Sequence, residues 1–257
     1  MSVYNISGVE ISGSSSGGGV SFRNNAYLYK LKNLNDQGVC TDGTYIYSCD
    51  GTNVRKYNIL TKENTVVTAE TGFYGHGNGM AYNPLTDCLY VATMTSGSPV
   101  AVVNADTLEF VEFVVVRNGS GTEIQPSQIA YDRKSNRYIM GVDSMFYIYD
   151  SSFNYVTSFN GNHSGVHQDI ETDGTYIYKC RSNVNGRGII QVIDFSGATV
   201  KQIDVTSSEL ESLAYDWNGT WYANTKNSQG LYYICFLNGY EIETVEQLHK
   251  ILDAYST

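Results

Sequence analysis

The apolar residues of this chain fall in short alternating runs broken by turn residues. That period predicts strands rather than helices over most of its length. The clearest run is His76-Gly77-Asn78-Gly79-Met80-Ala81-Tyr82-Asn83-Pro84-Leu85-Thr86-Asp87-Cys88-Leu89-Tyr90-Val91-Ala92. It reads as a small apolar strand over Asn78–Tyr82 and a turn over Asn83–Asp87. A second strand, rich in aromatic and β-branched residues, follows over Leu89–Thr93.

The same phrase recurs. Aligned on the apolar residue that ends its first part, the anchors are Val39, Met80, Ile129, Ile170 and Leu213, and successive anchors lie 41, 49, 41 and 43 residues apart by subtraction. The first and fourth units share Thr-Asp-Gly-Thr-Tyr-Ile-Tyr outright, at Thr41–Tyr47 and Thr172–Tyr178. A period of about 40–45 residues that carries only strand signals predicts a β-propeller with four antiparallel strands per blade. The turns Asp42-Gly43, Asp173-Gly174 and Asn218-Gly219 carry hairpin chemistry.

The fifth unit runs one strand short, because the pattern turns helical after Leu231–Leu237. An orphan strand over residues 26–32 has no hairpin partner of its own and supplies the missing edge. The expected fold is therefore all-β: a five-bladed β-propeller closed by an N-terminal strand. Covering the open edge is what makes such a closure favourable.

Two segments flank the ring. Residues 1–21 hold the run Ser12–Gly19 of serine and glycine, read as a flexible N-terminal arm. Its apolar residues Val3, Tyr4, Ile6, Val9 and Ile11 could dock on a neighbour. Residues 22–240 form the propeller. Residues 241–257 form a C-terminal amphipathic helix, with Ile242, Val245, Leu248, Leu252 and Tyr255 at three- and four-residue steps and a capping box at Thr244 and Gln247.

Composition narrows the partners. The formal net charge of the 257 residues is −10, and no Lys/Arg cluster offers the footprint that nucleic acid or an anionic membrane requires. No apolar run is long enough to span a bilayer, and the N-terminus lacks a secretory pattern. The 22 tyrosines outnumber the 9 phenylalanines, which suits half-buried strands and also surfaces that stack on sugars. The five cysteines form no CxxC pair and read as free thiols in apolar strands.

In a propeller the loops before each innermost strand converge on one mouth of the central channel. The residues so placed are Gln37, Asn78, Ser127, Gln168 and Glu211, then Gly38, Gly79, Gln128, Asp169 and Ser212, with His76 and His167 slightly earlier. Amides and small hydroxyls suit sugar hydroxyls, and equally suit channel water and strand ends. Asp169 and Glu211 form the one acidic pair on adjacent units and give the glycoside-hydrolase alternative, which needs two opposed carboxyls. His76, His163 and His167 match no compact zinc spacing and are read as hydrogen-bonding groups. No cofactor motif is present, and neither a cofactor nor a metal is expected.

The phrase His76–Pro84 with Leu89–Ala92, and the later Pro126-Ser127-Gln128-Ile129-Ala130-Tyr131-Asp132, resemble blade phrases of the five-bladed propeller module in tail receptor-binding proteins from phages of Gram-positive bacteria, staphylococcal type. The resemblance covers about residues 26–240. It implies a non-enzymatic virion module, oligomeric in the particle, that contacts other virion subunits and recognises a host cell-surface glycan such as a sugar-decorated cell-wall polymer. The chain carries neither the long helical stem nor the tower domains of that family. The second expectation is accordingly a structural or decoration virion protein that docks through its arm or helix without binding glycan.

Overall fold

The computed structural model describes residues 23–34, 36–161, 166–184, 187–205, 209–226 and 230–236. The arm expected over 1–21, the helix expected over 241–257 and His163 lie outside the described residues. Among the described residues all the regular structure is β-strand, and no helix is long and apolar enough to cross a membrane.

The chain opens with β1 (Arg23–Asn33). Blade 1 is the meander β2 (Gly38–Thr41), β3 (Tyr45–Cys49), β4 (Asn53–Asn58) and β5 (Asn64–Thr68). Blade 2 is β6 (Gly79–Asn83), β7 (Cys88–Ala92), β8 (Val100–Asn104) and β9 (Phe110–Val114). Blade 3 is β10 (Gln128–Asp132), β11 (Arg137–Val142), β12 (Met145–Asp150) and β13 (Tyr155–Asn160). Blade 4 is β14 (Val166–Thr172), β15 (Ile177–Val184), β16 (Arg187–Ile193) and β17 (Thr199–Val205). Blade 5 contributes β18 (Leu210–Tyr215), β19 (Trp221–Thr225) and β20 (Gly230–Phe236). The fold is a five-bladed β-propeller, as the repeat period predicts.

Closure follows the expected route. β1 runs antiparallel to β20, with Tyr27 opposite Cys235 and Tyr29 opposite Tyr233, and so completes blade 5. One feature of this strand was not foreseen. Its first residues, Arg23–Ala26, also pair in parallel with Gln202–Val205 on the outer strand of blade 4. Blades 4 and 5 thereby fuse into one eight-stranded sheet, ordered β14-β15-β16-β17-β1-β20-β19-β18.

The cores lie between blades. Strand alternation sends one set of side chains toward each neighbouring blade, so every blade is apolar on both faces. Cys40, Tyr47 and Val54 meet Met80, Leu89 and Val103 between blades 1 and 2. Ala92 and Val100 meet Ile129, Tyr138 and Met140 between blades 2 and 3. Ile139 and Phe146 meet Ile170, Ile177 and Ile193 between blades 3 and 4. Tyr178, Cys180 and Ile190 meet Leu213 and Trp221 between blades 4 and 5. Val39, Ile46 and Tyr57 meet Ala214, Tyr222 and Leu231 where the ring closes. Truncating one such fully buried residue, for instance Ile129→Ala, costs about 2–5 kcal/mol.

The shared heptapeptide builds the same turn twice. Asp42 Oδ1 accepts from the Thr44 and Tyr45 amides, and Oδ2 accepts from the Tyr47 hydroxyl at 2.8 Å. Asp173 repeats every one of these bonds with Thr175, Tyr176 and Tyr178. Gly43 and Gly174 hold φ of 98° and 74°, a region open to glycine without cost. These turns define the second mouth of the channel, at the far end of the innermost strands.

Candidate functional site

The innermost strands β2, β6, β10, β14 and β18 neighbour one another around the axis. The loops entering them form the mouth that the sequence points to, and each interface between blades carries a hydrogen bond there. The Gly38 amide donates to Gly77 O at 3.0 Å. Asn78 Nδ2 donates to Ser127 O at 2.8 Å, tying blade 2 to blade 3. Gln168 lies 3.5 Å from the Ser182 hydroxyl, which donates to Leu210 O at 2.8 Å and ties blade 4 to blade 5. Ser212 Oγ donates to Gln37 O at 2.8 Å, and Asn224 Nδ2 donates to Asp36 O at 2.6 Å, closing blade 5 on blade 1.

Asp169 does not line the opening. It is wholly buried, and its two carboxylate oxygens accept from the Met80 amide at 3.4 Å and the Ile129 amide at 3.3 Å. A bulge between His167 and Ile170 turns it inward, where it joins the inner edges of blades 2 and 3. Desolvation holds its pKa well above the usual carboxylate range, against the backbone donors. Gln128 is likewise fully enclosed, folded over Gly141, where a Cβ would collide with its amide. Its Oε1 has no hydrogen-bond partner. Of the residues expected at the mouth, Asn78, Gln128, Gln168, Asp169 and Glu211 are buried, Gln37, Ser127 and His167 are half-buried, and His76 is exposed.

Glu211 sits differently. It is 2 % exposed, and its pKa rises to about 7, first through burial and then through the neighbouring charge of Glu209, with Lys226 opposing. With the Gln37 amide turned to satisfy both of its ends, Gln37 donates to Glu211 Oε2 at 3.1 Å and accepts from Lys226 Nζ at 3.2 Å. Glu211 Oε1 is buried and lacks a donor, while the Glu209 carboxyl lies within hydrogen-bonding reach of Glu211 and raises its pKa further. His76 is exposed, and partial desolvation together with Lys226 lowers its pKa. Gln37, Glu211, Lys226 and His76 thus converge where blades 5, 1 and 2 meet.

His167 is half-buried on the blade 4 side, opposite Arg181 on the next strand. Burial and the nearby Lys179 push its pKa down to about 4. Lys179 is fully enclosed and donates to Asp143 O at 2.8 Å, with its ammonium 5.1 Å from the Phe146 ring. Desolvation lowers its pKa to about 7. The two described histidines do not assemble a metal centre. Among the described residues no three His, Cys, Asp or Glu side chains gather to hold an ion.

A third acid was missed by the repeat alignment. Glu171, two residues beyond Asp169, accepts from the Thr172 amide at 2.7 Å and the Tyr215 amide at 3.3 Å. Burial pushes its pKa up to about 8. Burial, and after it the charges of Asp169, Glu211 and Glu171, push the Cys180 thiol well above its usual pKa.

The second mouth holds groups that the sequence pattern did not single out. Arg133 of blade 3 reaches the far side of the ring, where Nη2 donates to Thr41 O at 3.3 Å. Its guanidinium carbon lies 5.7 Å from the Tyr82 ring centre of blade 2 and 5.5 Å from that of Trp217 in blade 5. Its Nε is buried with no hydrogen-bond partner. Trp217 has a φ of 64°. The signal available in the sequence was a tryptophan beside the Asn218-Gly219 turn.

No family model and no curated protein sequence matches the chain. Solved structures resemble it in fold. The glutaminyl cyclase of Myxococcus xanthus aligns with a TM-score of 0.64 and 13% identity, over 84% of this chain and 100% of that one. The WD40 repeats of RRP9 align at 0.52 and 8% identity, over 85% and 99%. Regucalcin, a calcium-binding protein of Agrobacterium tumefaciens, aligns at 0.52 and 9% identity, over 81% and 94%. At these identities the likeness is one of fold alone.

Proposed function

We propose that the ring is a non-enzymatic recognition module of a phage particle that binds a host cell-surface glycan at the mouth built by Gln37, His76, Asn78, Glu211 and Lys226. The observation that carries the reading is the state of Glu211. Its buried Oε1 lacks a donor at a mouth that gathers the Gln37 and Asn78 amides, the His76 imidazole and the Lys226 ammonium. An uncharged, donor-rich ligand such as a sugar hydroxyl satisfies such an acceptor at low desolvation cost. The blade phrases that resemble phage tail propellers support the virion role.

Two observations weigh against a hydrolase. Asp169 has no exposed oxygen to offer a glycosidic bond, and both of its oxygens already accept backbone amides. Glu171 is engaged in the same way. These carboxyls act as fasteners between blades. The structural neighbour called a glutaminyl cyclase carries no activity over to this chain at 13% identity.

The test is an array of bacterial cell-wall polymers and their constituent glycosides probed with the full chain. Specific retention of a glycan that Gln37→Ala weakens, with no release of reducing ends, is the expected result. Absence of binding to every polymer on the array would sink the adhesin reading. It would favour the alternative of a decoration protein that docks on other virion subunits.

A further inference from the structure

We infer that the second mouth, around Trp217, Arg133 and Tyr82, is a separate binding site for a neutral pyranose. It shares a ligand class with the reading above and none of its residues.

Left-handed backbone is unfavourable for a bulky side chain. Blades 1 and 4 turn through one left-handed glycine, with φ of 98° and 74°, whereas the longer Asp216–Thr220 turn of blade 5 has its own glycine, Gly219 at 109°, and in addition holds Trp217 at 64°. The hairpin geometry therefore does not call for an indole. Trp217 makes a cation–π contact with Arg133 at 5.5 Å. The ring stays half-buried, tilted at 43° to Tyr215, which itself stacks on Trp221 at 4.5 Å.

The second line concerns Arg133. The guanidinium lies between aromatic rings brought from two other blades. It makes a single hydrogen bond, to Thr41 O, and its buried Nε hydrogen has no acceptor. No carboxylate forms an ion pair with it among the described residues. A forked donor with unspent N–H groups, walled by aromatic faces, suits a sugar ring. The apolar C–H face lies on the indole, and hydroxyl oxygens accept from the fork.

Charge selects a neutral sugar over an anionic one. Asp42, Asp132, Asp173 and Asp216 all end innermost strands on this side. A phosphate or carboxylate ligand would meet four carboxyls for one Arg133 and one Lys134. Their oxygens are held in the turns by amides such as Thr44, Lys134, Thr175 and Asn218, so the fork is the available donor.

Calorimetric titration of the full chain with methyl glycosides of glucose, galactose, N-acetylglucosamine and N-acetylgalactosamine tests the inference. One of these is expected to bind saturably. Trp217→Gly is expected to weaken it at least about tenfold while melting at the same or a higher temperature, since glycine relieves the strain. Arg133→Lys, which keeps the charge and loses the fork, is expected to weaken it as well. Gln37→Ala separates the two mouths. Binding lost in Trp217→Gly and kept in Gln37→Ala supports the present site. Binding kept in Trp217→Gly overturns it, and binding lost in Gln37→Ala then points to the amide-lined mouth. No heat with any glycoside overturns the present inference; retention of a polymer on the array in that case leaves the first reading standing.

Discussion

The carboxylate of Asp169 occupies the space that a side chain on Gly79 would need. The two residues sit on different blades, and the absence of a Cβ on one lets the other reach the Met80 and Ile129 amides. Gly79→Ala is expected to destabilise the fold by about 1–3 kcal/mol through overpacking. Asp169→Ala is expected to cost about 2–5 kcal/mol, because two buried amides lose their acceptor. In the double variant the cost of Gly79→Ala should largely vanish. Urea unfolding of the four proteins measures the coupling, and strict additivity would refute the arrangement.

Two identical turns offer an internal control. Asp42 and Asp173 make matching bonds, but the bond to the tyrosine hydroxyl is buried in blade 4 and only partly buried in blade 1, where Asp42 is half-buried. Asp173→Ala is therefore expected to cost more than Asp42→Ala, both within about 1–3 kcal/mol. Thermal melts of the two variants decide the order.

Glu171 makes stability depend on pH. Its pKa is raised from 4.5 to about 8, so the native state holds a proton that the unfolded chain releases in that window. The contribution is complete below about pH 4.5 and is lost as pH climbs through 8. Its span is on the order of 5 kcal/mol. Glu171→Gln, a mimic of the protonated acid, should match the parent at low pH and show a flatter profile above it. Denaturant midpoints across the range give the comparison. An unchanged slope in the variant would mean that another group is responsible.

The closing strand gives a sharper test of the ring. Removing residues 1–22 leaves β1 intact, whereas removing 1–33 strips blade 5 of its fourth strand and cuts its bond to blade 4. The shorter deletion is expected to melt within a few degrees of the full chain. The longer one should lose its cooperative transition or fall by at least about 10 °C. Circular dichroism at increasing temperature reads both.

Much of this architecture was legible because strand pairs joined by tight turns leave local signals. Alternation and the recurring anchors located the first two strands of blade 2 to within about one residue, and the orphan strand named its own partner. The features that escaped are those without a local signature. Parallel pairing of Arg23–Ala26 with Gln202–Val205 uses no turn between the two strands. The bulge in β14 shifts register and turns Asp169 inward, which an alignment by fixed offsets cannot register. Trp217 and Arg133 are brought together by ring closure from loops that read as ordinary hairpin connections.

β1 runs with β17 on one side and against β20 on the other. Tension applied through the N-terminus acts along that strand, so it strains both ladders lengthwise and loads their hydrogen bonds together instead of peeling them one by one. A propeller hung from this end carries the load across two of its five sectors at once.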